Sequence, residues 1–281
     1  MFEAVRAEAL KLRRHRATWL MVWIFPIAFT AIVIIQILRD MFGQVVEAPI
    51  TSTAWLAESA KIWSFPLDGG GRFIIAGFAA LVFGGEYGWN TWKLIIPARE
   101  RWQLIVAKWI VSSAFILLAF AAADLVGISG SSLRGALGGI GIPDGVTIGS
   151  LVNVHASSAG HAVVPILYTI AWAALFAVLT TSVLATVVLS FGMVLSEQLL
   201  LAGAPLAHDI APSLTSMLLQ VLPFYHMVNL IAWAKGAGLT LPLGTSESLT
   251  TTWATSLAIV VIWIGAIGAT TLLRFSRQDL N

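Results

Sequence analysis

Apolar runs of roughly twenty residues, repeated along the chain with few charges inside them, constrain this sequence more than any motif does. At about 1.5 Å of rise per residue, such a helix crosses a hydrocarbon core of about 30 Å. Inside lipid a helix also satisfies its own backbone, which a loop cannot do. The runs fall at about 18–38, 71–85, 104–128, 162–180, 182–202 and 252–275. The second is short unless residues 63–67 extend it. Residues 162–204 as one helix would reach about 60 Å, twice the core, so Thr180-Thr181-Ser182 is read as a tight turn. Only 11% of residues are charged and 58% are hydrophobic, whereas a soluble domain carries about 25% charge. The expected fold is all-α: a polytopic membrane protein of six transmembrane helices, one domain over residues 1–281, without internal repeats.

Residues 2–16, FEAVRAEALKLRRHR, read as an amphipathic helix lying in the headgroup plane. Phe2, Val5, Ala9 and Leu12 share a face, and Arg6, Lys11, Arg13, Arg14 and Arg16 point elsewhere, toward anionic lipid. A signal peptide is disfavoured because the following run is long and ends in Arg39-Asp40-Met41-Phe42, without a small-residue cleavage site. With six spans and the N-terminus inside, the inner segments hold eleven cations: Arg6, Lys11, Arg13, Arg14, Arg16, Lys93, Arg99, Arg101, Lys108, Arg274 and Arg277. The outer segments hold five: Arg39, Lys61, Arg72, Arg134 and Lys235. That bias fits the positive-inside rule, and five spans would weaken it. Three outer loops are expected, at 39–70, 129–161 and 203–251. In the last, Pro212 and Pro223 each precede some ten apolar residues, too few to span. They read as short re-entrant or interfacial helices.

Several chemistries lack their residues. No G-x-x-x-x-G-K-[ST] is present, and Gly69-Gly70-Gly71-Arg72 lacks the lysine and hydroxyl that hold phosphate and magnesium. An ATP-driven machine built on this chain would need its ATPase on another. There is no cysteine, hence no disulfide or thiolate chemistry. His155 and His161, six apart in a Gly/Ser-rich stretch, read as surface histidines rather than metal ligands, as do His208 and His226. No G-x-S-x-G elbow supports a nucleophile, so no catalytic or metal residue is expected, nor a nucleic-acid partner. Charged groups inside spans are functional suspects. Glu197 and Gln198 in the fifth span and Asp124 in the third are candidates for a translocation path, weighed against local pairing of Glu197 and snorkelling of Asp124.

A polar island, GGEYGWNTWKLIIPARERWQLIVAK, separates the second and third runs. Read as a helix, it puts Trp89, Trp92 and Ile96 on one face and Glu86, Asn90 and Lys93 on another. Pro97 then turns the chain, and Arg99, Arg101 and Lys108 lead into the next run. An aromatic and basic interface belt accounts for the tryptophans and arginines. A docking element for a soluble partner accounts also for the two faces and for the Glu86 at its entrance.

Together these segments resemble the permease subunits of ABC-2 type (type V exporter-like) transporters. The likeness rests on Glu86-Tyr87, Thr91-Trp92-Lys93, Arg99, Arg101 and Ala107-Lys108, on the opening Glu8 to Arg14, and on the close F-S-R-Q-D-L from Phe275 to Leu280. The short helices before the last span also match, and the order covers essentially the whole chain. One departure stands in the turn: the family's usual Pro-[VL]-[ST]-R is here Pro97-Ala98-Arg99-Glu100-Arg101. The resemblance implies an exporter permease in a bacterial cytoplasmic membrane, with both termini cytoplasmic. It implies pairing with a second permease copy or a sister chain. A separate cytoplasmic ATPase, carrying ATP and magnesium that this chain does not bind, would dock on residues 84–103. Glu86, Tyr87 and Lys93 would be its first contacts, Asn90 and Trp92 would complete the helix, and Arg99 and Arg101 would flank it. A drug, an antimicrobial peptide or a lipid-like molecule would be the cargo. The rival readings are a non-transporting ABC-type anchor that signals to an outer partner, and an ion-driven secondary transporter. The latter would want polar groups at broken midplane helices.

Overall fold

The computed structural model describes residues 1–42, 51–88, 92, 100–138, 141–234, 237–243 and 247–279. Helix α1 (Phe2–Arg14) leads through α2 (Arg16–Met21) into α3 (Ile24–Phe42). Next come α4 (Ser52–Ser59), a 3₁₀ turn (Lys61–Ser64) and α5 (Gly69–Gly88). Two long helices follow, α6 (Arg101–Leu137) and α7 (Ile148–Thr180), then α8 (Val183–Ala202). Three short helices, α9 (Ala204–Ile210), α10 (Pro212–Val221) and α11 (Pro223–Ala234), precede the final α12 (Trp253–Ser276). Among the described residues the sole sheet is a two-residue ladder, β1 (Leu241–Pro242) antiparallel to β2 (Ser248–Leu249).

This is an all-α, multi-pass membrane protein. Five stretches are long and apolar enough to cross a bilayer: Thr18–Phe42, α6, α7, α8 and α12. The α10–α11 pair, bent by 65°, would make a sixth if it crossed as one unit. Helix α5, the expected second span, is not among the five, and the reason is where it sits. From Gly71 to Tyr87 no residue of α5 is exposed. It meets protein on every side, so glycines, Arg72 and Glu86 can replace the uniform apolar surface that lipid demands. Its 20 residues still reach about 30 Å. Helices α6 and α7 share the centre with it, whereas α3, α8 and α12 are peripheral. Only 22% of the apolar window of α8 is buried, against 67% for α7.

The expected loop at 129–161 is mostly helix. Helix α6 continues to Leu137, and α7 starts at Ile148, where Thr147 and Ser150 close a reciprocal capping box. Alanine and serine there do not stop a helix once a neighbour buries it, as Ala162 and His155 are buried. At 37 residues, α6 is about 55 Å long and overshoots a bilayer core. The 39–70 region likewise holds α4 and the 3₁₀ turn, with Trp55, Leu56, Ile62 and Trp63 buried. The α7–α8 break does fall at the threonines: Thr181 takes a left-handed conformation (φ 53°), and Ser182 caps α8 through the Ala185 amide.

Two cations lie elsewhere than expected. Arg72 is not an outer-loop cation; it is fully buried within α5. Lys108 is buried within α6. Neither can therefore be counted as a loop cation. Helix α1 also turns a different face inward. It buries Ala4, Glu8 and Leu12, while Phe2 is 79% exposed.

Candidate functional site

The polar island enters the structure through Glu86, near the end of α5, and the carboxylate is buried between two ammoniums. Lys108 on α6 donates to Glu86 Oε1 at 2.7 Å, to Glu8 Oε1 at 2.8 Å and to the Val82 carbonyl at 3.2 Å. An ammonium has three hydrogens, and here each has an acceptor. Lys11, one turn beyond Glu8, pairs with Glu86 as well. Among the described residues, two acids and two bases thus form a charge-balanced cluster that joins α1, α5 and α6. Burial, reinforced by the Lys108 charge, holds the Lys11 ammonium below its ordinary value, against the opposing pull of Glu8 and Glu86. Lys11 therefore faces protein rather than lipid headgroups. Glu8 lies on the inward face because its carboxylate has a cation to meet there.

The rest of the described island is fastened equally firmly. Tyr87 donates to Gln278 Oε1 at 2.7 Å, and the Gln278 amide donates to the Val178 carbonyl at 3.3 Å. Trp92, 2% exposed, packs on Tyr87 and Phe275 and lies 5.5 Å from the Lys108 ammonium. Arg101 Nη1 reaches the carbonyls of Phe275 (3.1 Å), Ser276 (3.1 Å) and Gln278 (2.6 Å). These carbonyls lie at and just past the C-terminal end of α12, where a guanidinium supplies donors that the helix itself lacks and opposes its dipole. Asn90, Lys93 and Arg99, with Trp89, Ile96 and Pro97, lie outside the described residues.

At the far end of α5 stands a second buried pair. Arg72 Nη2 meets Glu197 Oε2 of α8 at 2.6 Å, and Tyr168 of α7 donates to Glu197 Oε1 at 2.6 Å. Arg72 Nε donates to Thr169 Oγ1 at 3.3 Å, and the guanidinium stacks over Phe224 and Tyr168 at 5.1 and 5.7 Å. Its Nη1 has no hydrogen-bond partner among the described residues, nor does the buried Nε2 of Gln198. Gln198 lies beside Gly69, its amide carbon 3.6 Å from where a side chain there would begin. Glu197 is therefore locally paired, and its partner Arg72 is a buried helix residue rather than the outer-segment cation expected. The readable signal was the pair itself: one cation and one anion, each in an apolar run, have strong reason to meet.

Asp124 does not snorkel. It accepts from His155 Nδ1 at 2.8 Å, and His155 Nε2 lies 3.1 Å from Ser59 Oγ. All three are buried, so His155 is no surface histidine. The order of Ser, His and Asp matches that of a hydrolase triad. Yet Ser59 is 0% exposed, and its hydroxyl also contacts the Leu56 carbonyl at 2.9 Å, which leaves no open face for a substrate. The trio acts as a strut tying α4 to α6 and α7. His226 is buried too: Nε2 donates to the Gln220 carbonyl (2.9 Å), so Nδ1 accepts from Ser256 Oγ (3.0 Å). His161 is half-buried and bonds the Ser157 carbonyl of its own helix, while His208, buried, meets Glu247 at 3.0 Å. No family model matches the chain, and none of the curated proteins matches it in sequence.

Proposed function

We propose that this chain is the membrane permease of an ATP-driven exporter of the ABC-2 type. On this reading α5 is the second of six spans, both termini face the cytoplasm of a bacterium, and residues 84–103 seat a separate ATPase that holds the ATP and magnesium. A second permease, identical or sister, completes the pathway. The observation that supports this best is the way both ends of the island are fastened. Glu86 locks its entrance to α1 and α6, and Arg101 locks its exit to the end of α12. A push on the segment is therefore carried to α5, α6, α12 and the amphipathic helix together, which is what a coupling element has to do.

Within that reading the roles of the residues divide. Glu86, Tyr87, Trp92 and Arg101 act as positioning residues that hold the segment, and contact with the ATPase falls to Asn90, Lys93 and Arg99. Glu197 and Gln198 are the polar groups offered to cargo, and Asp124, bound by His155, belongs to the frame. Cargo is an amphipathic molecule: a drug, an antimicrobial peptide or a lipid. The test is recovery of the ATPase that co-purifies with the tagged chain. The double charge reversal Lys93→Glu/Arg99→Glu should reduce that recovery about tenfold while membrane insertion is kept. Unchanged recovery, or ATP hydrolysis by the isolated chain, would overturn the proposal.

A further inference from the structure

A cavity of about 420 Å³ lies between α3, α6, the start of α5 and the α4–3₁₀ segment. Its lining changes character along its length. Toward the α2 end of α3 the walls are Phe25, Ala28, Phe29 and, from α5, Ile74. Phe25 packs on Phe65 and Phe120, at ring-centre distances of 5.8 and 4.5 Å, and closes that end. Toward the other end, Gln36, Ser131 and Arg134 replace the apolar residues, and Glu58 and Lys61 stand at the rim. The depth of the cleft depends on two glycines of α6. A Cβ at Gly130 would lie 2.4 Å from Val33 Cγ1, and one at Gly127 would lie 2.6 Å from the Ser59 carbonyl oxygen.

Its mouth faces lipid. Ile24 and Ile32 line it and are also 39% and 49% exposed, on the face of α3 that carries the exposed Ile27, Ile34 and Ile35. The volume sits near the low end for ligand sites, about 300–1,000 Å³, which suits one hydrocarbon tail rather than a whole two-tailed molecule. Arg134 is held by Asp40 at 2.6 Å and Asp68 is engaged elsewhere, so the charges left to the rim are Lys61 and Glu58, one of each sign. Lys61 and Glu58 are exposed and only loosely paired, at 3.4 Å. Such a pair contributes little in water, so each partner can exchange the other for a ligand group of the same sign. A balanced set of this kind favours a headgroup that carries both charges and gives no advantage to a net anion.

We propose that this cleft takes one acyl tail of a zwitterionic phospholipid from the surrounding leaflet, with the phosphate at Lys61 and the amine at Glu58. The site is separate from the ATPase-docking segment and does not rest on the exporter reading; its test needs no ATPase. The purified full-length chain is exposed in detergent to diazirine-tailed lysophosphatidylethanolamine or to the phosphatidylglycerol analogue, photolysed, and mapped by peptide mass spectrometry. The zwitterionic probe should label residues 24–36 and 127–134, about tenfold above the anionic one. Ala28→Trp, which fills the cleft, should abolish that labelling, and Lys61→Glu should reduce it about tenfold. Should Ala28→Trp not yield a monodisperse protein, Ile32→Trp at the lipid-exposed mouth decides instead. Equal labelling by both headgroups, or labelling that survives the filling variants, would overturn the proposal.

Discussion

Two buried charge clusters stand toward opposite ends of α5, and they solve the same problem differently. At the Glu86 end, two acids and two bases neutralise one another and every hydrogen of the Lys108 ammonium has an acceptor. At the Arg72 end, one guanidinium lies over aromatic rings and faces one carboxylate, and among the described residues its Nη1 has no acceptor. A complete network makes a fixed joint, because no member can leave without stranding another. An incomplete one retains unused donors, which an incoming acceptor could take up. The contrast assigns rigidity to the end that meets the island and adaptability to the end where Glu197 and Gln198 lie.

The sharpest way to break this comparison is to remove the hub of the complete cluster. Lys108→Ala removes the ammonium that Glu8 and Glu86 share and leaves both carboxylates buried. Breaking a buried pair from one side costs about 3–5 kcal/mol, and thermal unfolding in detergent should register a loss of that size. Lys108→Met combined with Glu86→Gln and Glu8→Gln removes charge from both sides and should recover most of it. A single Lys108→Ala that unfolds like wild type would mean that the cluster holds nothing.

How far the sequence showed this architecture depends on the range over which each determinant acts. The apolar runs, the Thr180–Ser182 turn and the short helices after Pro212 and Pro223 are local patterns, and they fall where patterning puts them. The extent of α6 and α7 was not legible, because alanine, serine and glycine between 129 and 161 follow whatever surface they pack on. Charge partnerships were hidden for a different reason. Lys108 and Glu8 are a hundred residues apart, and Asp124, His155 and Ser59 come from three separated helices. Each charge read singly looks like a snorkelling or loop residue; only the fold supplies its partner. Glu86 shows the cost of single-residue reading most clearly, since its position in the motif suggests a contact surface and its carboxylate is buried.

At the incomplete cluster the effects should be smaller and should divide by chemistry. Glu197→Gln keeps an acceptor for Tyr168 and removes the charge opposite Arg72, at a cost of about 1–3 kcal/mol for the guanidinium left unpaired. Arg72→Met removes the orphaned Nη1 along with the charge. Made together with Glu197→Gln, it should cost less than either alone, because neither partner is then left as an unpaired buried charge. If Glu197 also serves cargo, the single and the double variant should both lose substrate-stimulated ATPase activity, whatever their stability. Stability and activity falling and recovering together would assign Glu197 to structure alone.

The smallest effect belongs to Thr181, which holds φ at 53° in the turn between α7 and α8. A residue with a Cβ pays roughly 1–2 kcal/mol in that region, and a β-branched one has least freedom to relax there. Glycine removes the clash but has about 0.5–1 kcal/mol more chain entropy to lose on folding. The balance predicts that Thr181→Gly stabilises by about 0.5 kcal/mol, a rise in unfolding temperature that replicate melts can resolve. The turn lies beside the Glu86 joint: Val183, just past it, touches the positions of Gly84 and Gly88 on α5. If buried charge rather than the turn sets the rigidity of that end, Thr181→Gly should leave ATPase recovery and coupling at wild-type levels while the melt shifts upward. Loss of coupling in a stabilised Thr181→Gly protein would place the joint in the α7–α8 turn and take it away from the four charges.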